Sequence, residues 1–462
     1  MYDLAILGGS VVSSDSVEVA DVLIKAGAIA RVLPAEGSRR ADRAGIRASR
    51  EVDARGMLVM PGAIDPHVHF GLRSRGTVTA DDFASGTACA AAGGVTTVID
   101  YADHLPGMTL AQSAAIRLAE VRGQAAADYA VHQNFIRLDA DFGEQLAQLH
   151  AAGVGSVKVF TTYKDVGYML EGGDLEALLR AAKRHGVLVT VHAEDDAVIV
   201  RVRRQLEAAG SVSPADHGKS RPAEAEEQAV REVIRAAEAA DAPVYVVHVS
   251  TRGAIEAIAE ARRRGLAVMC ETCPHYLLLD EGRYAGPNAR LFIMSPPLRT
   301  PADQDGLWRA VTRGVVDTFS TDHCAFTPEQ KALGQSCFDT LPGIPGVQTL
   351  LPLVYSYGVA TGRITASRMV EMMCETPARL FGLSARKGRI APGLDADICI
   401  LDTTARRTLS GADLLSQAGY SPYEGMKVGC EVREVYLRGR LVASRGRFFG
   451  ARGAGEFIRA SA

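Results

Sequence analysis

The sequence predicts a (β/α)8 TIM barrel carrying a small β-sandwich domain formed by both chain ends. Three observations predict it. Eight short apolar runs alternate with helix-like patterns over about 260 residues, the length and rhythm of a barrel. β-rich patches at the two ends, each too small for a core of its own, flank that region and read as one domain. Histidines, a lysine and an aspartate recur at the C-terminal ends of the predicted strands, where barrel enzymes carry their chemistry. A doubly wound open sheet is the alternative, and the strand count favours the barrel.

In chain order, residues 4–7, 17–24 and 28–33 are short apolar runs, with Gly8-Gly9 and Ala26-Gly27 placed as hairpin turns. Residues 38–50, rich in arginine and alanine, read as a solvated loop. Barrel strands are predicted at 57–69, 95–100, 129–135, 154–160, 187–192, 244–248, 267–272 and 315–321. Helices are predicted between them at 79–92, 110–122, 173–185, 222–240, 251–264 and 301–313. Thr79, followed by Asp81 and Asp82, reads as the N-cap of the first of these. A further helix is expected at 366–381, and strands at 396–401, 432–437 and 441–443 complete the β domain. The resulting limits are 1–56 and 391–445 for the two parts of the sandwich, 57–390 for the barrel and 446–462 for a tail.

Composition narrows the function classes. A net charge of −3 over 462 residues gives no general case for nucleic acid or an anionic membrane as partner. No apolar run is long enough to span a bilayer, and the N-terminus reads as a strand and turn, not a signal peptide. Eight cysteines without a framework spacing suit a reduced, cytoplasmic protein.

The chemistry starts at Asp65-Pro66-His67-Val68-His69. Side chains two apart on a strand share a face, so His67 and His69 point the same way and make the start of a metal site. The plain alternative is two satisfied turn histidines. The other strand ends argue against it: Lys158, His192, His248 and Asp322 are all ligand types or bases at the same end of the barrel. Lys158 sits in an apolar strand, where burial lowers the pKa of an ammonium. It reads either as the partner of a buried acid or as a neutral amine that adds CO2, giving a carbamate whose two oxygens bridge two metal ions.

At these residues the chain resembles the amidohydrolase superfamily, and within it the cyclic amidohydrolases. The motifs are PGAIDPHVH (61–69), VKVF (157–160), VTVHAED (189–195), VYVVHVS (244–250), ETCPHYLLLD (271–280), MSPPLR (294–299) and STDHCAF (320–326). GTVTADDFASGT (76–87), QKALG (330–334) and YSPYEGM (420–426) resemble the dihydropyrimidinase and D-hydantoinase branch. The resemblance implies that His67, His69 and Asp322 bind one metal, that His192 and His248 bind the other, and that Lys158 bridges them as N6-carboxylysine. It implies that Tyr163 hydrogen-bonds the substrate carbonyl and that Ser295 contacts the substrate. Two divalent ions, zinc by default with manganese or cobalt as alternatives, would share a hydroxide that attacks the ring amide. Asp322 would carry its proton to the leaving nitrogen, and Tyr163 would stabilise the oxyanion. The implied substrates are hydantoins or dihydropyrimidines, the products N-carbamoyl amino acids, and the assembly a homotetramer or homodimer.

Other signals weigh less. The CxxC spacing of Cys270 and Cys273 lacks a second pair and reads as structural. His323, facing away from Asp322 on a strand, reads as structural before it reads as a support for the ligands; His104 reads as a solvated loop residue before it reads as pocket lining. The chain departs from D-hydantoinases at Pro342-Gly343-Ile344-Pro345, where those enzymes usually have P-N-G-G-P. That segment is closer to dihydroorotases and L-hydantoinases, and Cys273-Pro274-His275 is closer to allantoinases. Arg73 and Arg75 read as solvated, or, if one turns inward, as a carboxylate contact. These features bear on substrate size and handedness and keep an allantoinase-like or dihydroorotase-like activity as the alternative. A non-catalytic scaffold is the remote third, disfavoured because all six ligand positions hold competent residues.

Overall fold

The computed structural model describes residues 1–34 and 46–461. Its centre is a parallel barrel of strands β1 (Ala63–Asp65), β2 (Val95–Ala102), β3 (Asp128–Asn134), β4 (Ser156–Phe160), β5 (Leu188–His192), β6 (Val244–Val246), β7 (Val268–Thr272) and β8 (Thr318–Phe319). Each pairs with its neighbour in sequence. The ring closes just beyond β1 and β8. There Val68 bridges His323 in parallel, and the His69 amide donates to the His323 carbonyl at 2.8 Å. The closing seam therefore runs through the residues that follow Asp65 and Thr321.

The first predicted strand, 57–69, is two strands. Leu58–Pro61 belongs to the sheet made by the chain ends, and β1 to the barrel. Gly62 is the hinge. A Cβ there would lie 2.1 Å from Thr96 Oγ1, so only glycine lets the chain pass between the two sheets. The strands predicted at 244–248 and 315–321 are shorter in the structure, because His248 and Asp322 leave the extended region at φ of 40° and 47°. Among the described residues, two helices of ten or more residues are present beyond the predicted ones, Phe142–Ala151 and Asp196–Ala208, along with shorter ones such as His217–Ser220 and Pro274–Leu278. The first predicted helix starts later than expected, at Phe83, with Asp82 and not Thr79 as its N-cap. Asp82 accepts from the Ser85 amide at 2.8 Å, and Ser85 accepts from the Asp82 amide in return. Thr79 instead accepts from the Leu72 amide at 2.9 Å and folds the preceding loop.

The chain ends form one nine-stranded sheet. Its order is Arg447–Phe448, Arg440–Ser444, Glu431–Leu437, Ile398–Asp402, Leu58–Pro61, Tyr2–Val12, Val17–Lys25 and Ala28–Pro34, with Ala48–Asp53 pairing off Tyr2–Val12. Period-two alternation buries both faces: Leu4, Ile6, Val22, Ile24, Ile398 and Ile400 in one cluster, Ala5, Leu23 and Leu33 in another. Gly8-Gly9 is not a hairpin turn. It is a bulge inside Tyr2–Val12, and the reversal comes at Ser13–Ser16. The Ala26-Gly27 turn is as expected, with both residues at positive φ. The loop predicted at 38–50 lies outside the described residues as far as 45, and Ala48–Arg50 is strand. Arg447–Phe448, at the start of the predicted tail, is the edge strand of this sheet, and the residues from Gly455 onward run along the barrel end remote from Asp322. The Tyr129 amide donates to the Glu456 carbonyl at 2.9 Å, the Ile458 amide donates to the Tyr129 carbonyl at 2.8 Å, and the Ala460 amide donates to Gly153 at 2.8 Å. Among the described residues no helix is long and apolar enough to cross a membrane.

Candidate active site

Two half-sites face each other at the C-terminal end of the barrel. In the first, His67 Nε2 lies 3.2 Å and His69 Nε2 3.1 Å from the same Asp322 oxygen. One ligand atom from each of the three lies within 4.8 Å of the others, the reach of one metal ion. His67 spends its other nitrogen on Glu271, with Nδ1 2.5 Å from Oε1. That contact leaves Nε2 free to face Asp322. Burial, then the nearby Lys158 charge, holds the His67 imidazole well below its ordinary pKa, so it is neutral with a lone pair to give.

In the second, His192 ends β5 and His248 follows β6. His192 Nδ1 and His248 Nε2 point at each other 2.8 Å apart, and His192 Nε2 is 2.7 Å from Glu194. Burial lowers the pKa of both imidazoles. The same design recurs: the backing carboxylate takes one nitrogen and the other is turned inward. The His67 and His248 rings, 5.4 Å apart, join the two halves.

Lys158 on β4 lies with these groups, 1% exposed. Its Nζ is 5.0 Å from the Tyr101 ring centroid and 5.3 Å from that of Phe160. Burial pushes its pKa down to about 8, while Glu271 and Asp322 pull the other way. Asp322, His248 and Tyr163 (φ 66°) are three of eight non-glycine residues at positive φ among the described residues; the others are not ligand-type groups of this site. Each such conformation costs about 1–2 kcal/mol, which the surrounding packing has to offset.

Tyr163 and Ser295 line a cavity of about 400 Å³ beside the second half-site, where the Tyr163 ring stands 5.4 Å from that of His192. Burial raises the Tyr163 pKa, with Arg221 opposing it, so the phenol keeps its proton. The helix Asp196–Ala208, His217, Arg221, Phe338, Thr340 and Pro342 supply much of the remaining wall. Arg75 lines this cavity while donating to the Phe338 carbonyl at 2.9 Å; Arg73 is exposed in a two-residue strand. Gly343 donates to the Ile293 carbonyl at 2.9 Å, which ties the Pro342–Gly346 segment to the Ser295 loop.

His323 is structural, as its strand position suggested. It bonds Asp81 at 3.1 Å and accepts from the Gly346 amide at 3.1 Å. His104 is neither solvated nor among the residues lining the cavity: it is buried, with Nε2 3.2 Å from the Met108 carbonyl. Cys270 and Cys273 are free thiols, the second 3.3 Å from Ser320. Sequence reasoning missed Glu271, Glu194 and Arg221. Glu271 had a signal, a carboxylate within an apolar strand, the same anomaly that marked Lys158. Arg221 had none, since it returns to the site only after a helix that was not foreseen.

The Amidohydrolase family model matches residues 58–442. The chain is 38% identical to a D-hydantoinase of Geobacillus stearothermophilus over 459 residues, 98% of this chain and 96% of that one. It is 36% identical to a D-phenylhydantoinase of Escherichia coli (strain K12 / DH10B), covering 98% of this chain and 97% of the relative. The crystal structure of dihydropyrimidinase from Brevibacillus agri NCHU1002 superposes with a TM-score of 0.94 at 36% identity, over 100% of this chain and 99% of that one. The chain belongs to the amidohydrolase family.

Proposed function

We propose that the chain is a two-metal hydrolase of cyclic amides that opens hydantoins and dihydropyrimidines to N-carbamoyl amino acids. The observation that carries this reading is the pair of half-sites, in which His67 and His192 each give one ring nitrogen to a carboxylate and turn the other inward, together with a buried lysine whose charge acts on His67, His192 and His248. Neutral imidazoles with one carboxylate are a fitting donor set for two divalent cations. His67, His69 and Asp322 would hold one and His192 and His248 the other. Lys158 would bridge them as N6-carboxylysine, its uncharged amine adding to CO2 with release of a proton. Bound there, the cations supply a nucleophile from water at neutral pH and polarise the carbonyl under attack. Zinc suits the donors, and manganese or cobalt also fit.

The chain's own groups do the rest. Asp322 accepts a proton from the attacking water and returns it to the ring nitrogen as the amide bond breaks. The Tyr163 hydroxyl donates to the carbonyl oxygen as charge builds on it. Ser295, on the same cavity wall, contacts the ring. The D-hydantoinase names of the relatives support a preference for D-configured 5-substituted hydantoins. The cytoplasm is the proposed compartment, supported by eight free, buried cysteines, and a homotetramer or homodimer the proposed assembly. The test is ring opening of dihydrouracil, hydantoin, both enantiomers of 5-phenylhydantoin, allantoin and dihydroorotate. Turnover of the first two and of the D-aryl compound, lost on chelation, is expected. Turnover of allantoin or dihydroorotate alone would move the assignment to the alternative that the Pro342–Gly346 segment suggested.

A further inference from the structure

Behind the second half-site a chain of polar contacts runs from a candidate ligand to the wall of the cavity. His192 Nε2 meets Glu194 Oε2 at 2.7 Å. Arg221 grips the same carboxylate, its Nε donating to Oε1 at 3.0 Å and to Oε2 at 3.1 Å while its Nη2 donates to Oε2. That Nη2 also lies 3.5 Å from the Tyr163 hydroxyl, and the guanidinium carbon is 5.2 Å from the Tyr163 ring centroid. The Glu194 side chain is 0% exposed and that of Arg221 12%. The Arg299 guanidinium holds the Arg221 carbonyl, so the arginine is fixed at its backbone as well.

We propose that Glu194 and Arg221 are positioning residues that couple the second metal-binding half-site to the oxyanion donor Tyr163. The proposal deepens the hydrolase reading above and rests on it. Glu194 accepts the His192 Nε2–H, which fixes the tautomer with the Nδ1 lone pair facing His248. Arg221 neutralises that buried carboxylate in a two-point grip that lysine cannot reproduce. Its Nη2–H donates to the phenol oxygen, which polarises the phenol O–H and makes it a stronger donor to the substrate carbonyl. One salt bridge thus sets both a ligand's tautomer and a substrate contact, and a disturbance at either end is felt at the other.

Two measurements test it on the full-length protein. In the first, chelated protein is titrated with zinc alone, and cobalt reports the ligand field by its visible spectrum. Glu194→Gln and Arg221→Met are expected to weaken the second zinc by about 10- to 100-fold, with the first unchanged and Arg221→Lys between. Unchanged first-site affinity also certifies that the variant is folded. In the second, kcat on hydantoin is measured for Tyr163→Phe, Arg221→Met and the double variant. Coupling expects the double variant to be no slower than the slower single one. Second-zinc affinity in Glu194→Gln equal to that of the wild type, or fully multiplicative losses in the cycle, would overturn the proposal and leave the pair a loop fastener. The titration needs no turnover, so a wild-type protein inactive on hydantoin contradicts the hydrolase reading without altering the first result.

Discussion

At the residue scale, function follows from polar groups held where burial disfavours their charge. Lys158 is the clearest case. Replacing it by methionine keeps the volume and removes the amine. It is expected to lower bound metal and to cut turnover by about a hundredfold or more, as loss of a ligand does. Incubation with 13C-bicarbonate should give a carbamate carbon signal in the wild type and none in Lys158→Met. His217 gives a prediction on stability. Its Nε2 lies 2.7 Å from the Met294 carbonyl, next to Ser295, and burial pushes its pKa from 6.5 down to about 4. Between those values the unfolded chain binds a proton that the folded chain does not. The contribution of His217 to stability is therefore full above pH 6.5 and is lost as pH falls through the window. His217→Gln retains a donor without the titration, so its loss of unfolding free energy between neutral pH and about pH 5 should be smaller than that of the wild type. Denaturant titration at the two pH values measures it. Lys158, His67, His69, His192 and His248 were legible because ligand types at strand ends or inside apolar runs violate the local pattern; His217 was not. Nor were Glu194 and Arg221. A charge next to a loop looks solvated until the fold shows what it meets.

At the scale of elements, the barrel strands were legible from their apolar runs, and the boundaries failed where tertiary contacts override local preference. Thr79-Asp81-Asp82 has the composition of a helix start, yet Thr79 and Asp81 are taken by the Leu72 amide, His323 and Gln417, leaving Asp82 to cap. The strand read as 57–69 carries Pro61-Gly62 in its middle, a breaker pair between two apolar runs, and that was the overlooked sign of the change of sheet at Gly62. That hinge is testable. Gly62→Ala puts a methyl on the Thr96 side chain and should destabilise the protein by about 1–3 kcal/mol through overpacking. Thr96→Ala in the same chain should restore part of the loss, since the nearest atoms all belong to Thr96. Thermal melts of the wild type and the two variants decide it.

At the scale of the molecule, the barrel, the terminal sheet and the last residues are fastened at the end remote from the active site. Lys387 sits among the carboxylates of Asp128, Asp395 and Asp397, at 2.7 Å from Asp395 and 2.6 Å from Asp397, and Arg438 joins at Asp128. Asp128 begins β3, Asp397 adjoins the sheet strand Ile398–Asp402, and the Glu456 amide of the C-terminal segment donates to Asp128 at 2.8 Å. Three acids this close resemble a cation site, and Lys387 is the cation that fills it. Lys387→Met would leave buried carboxylates without a counter-charge and should cost about 3–5 kcal/mol of unfolding free energy. The pairing of the two chain ends was foreseen from their β-rich composition. This ion cluster was not, because its members are spread from 128 to 456 and meet only in three dimensions.

The central claim, hydrolysis by a pair of metals held between two half-sites, is tested most directly by adding zinc back to chelated protein while following hydantoin ring opening. The account expects no turnover in the stripped protein and activity that rises until two equivalents are bound. It also expects His192→Ala or His248→Ala to bind one equivalent and stay slow. Full ring opening in the stripped protein, or activity complete at one equivalent, would contradict it.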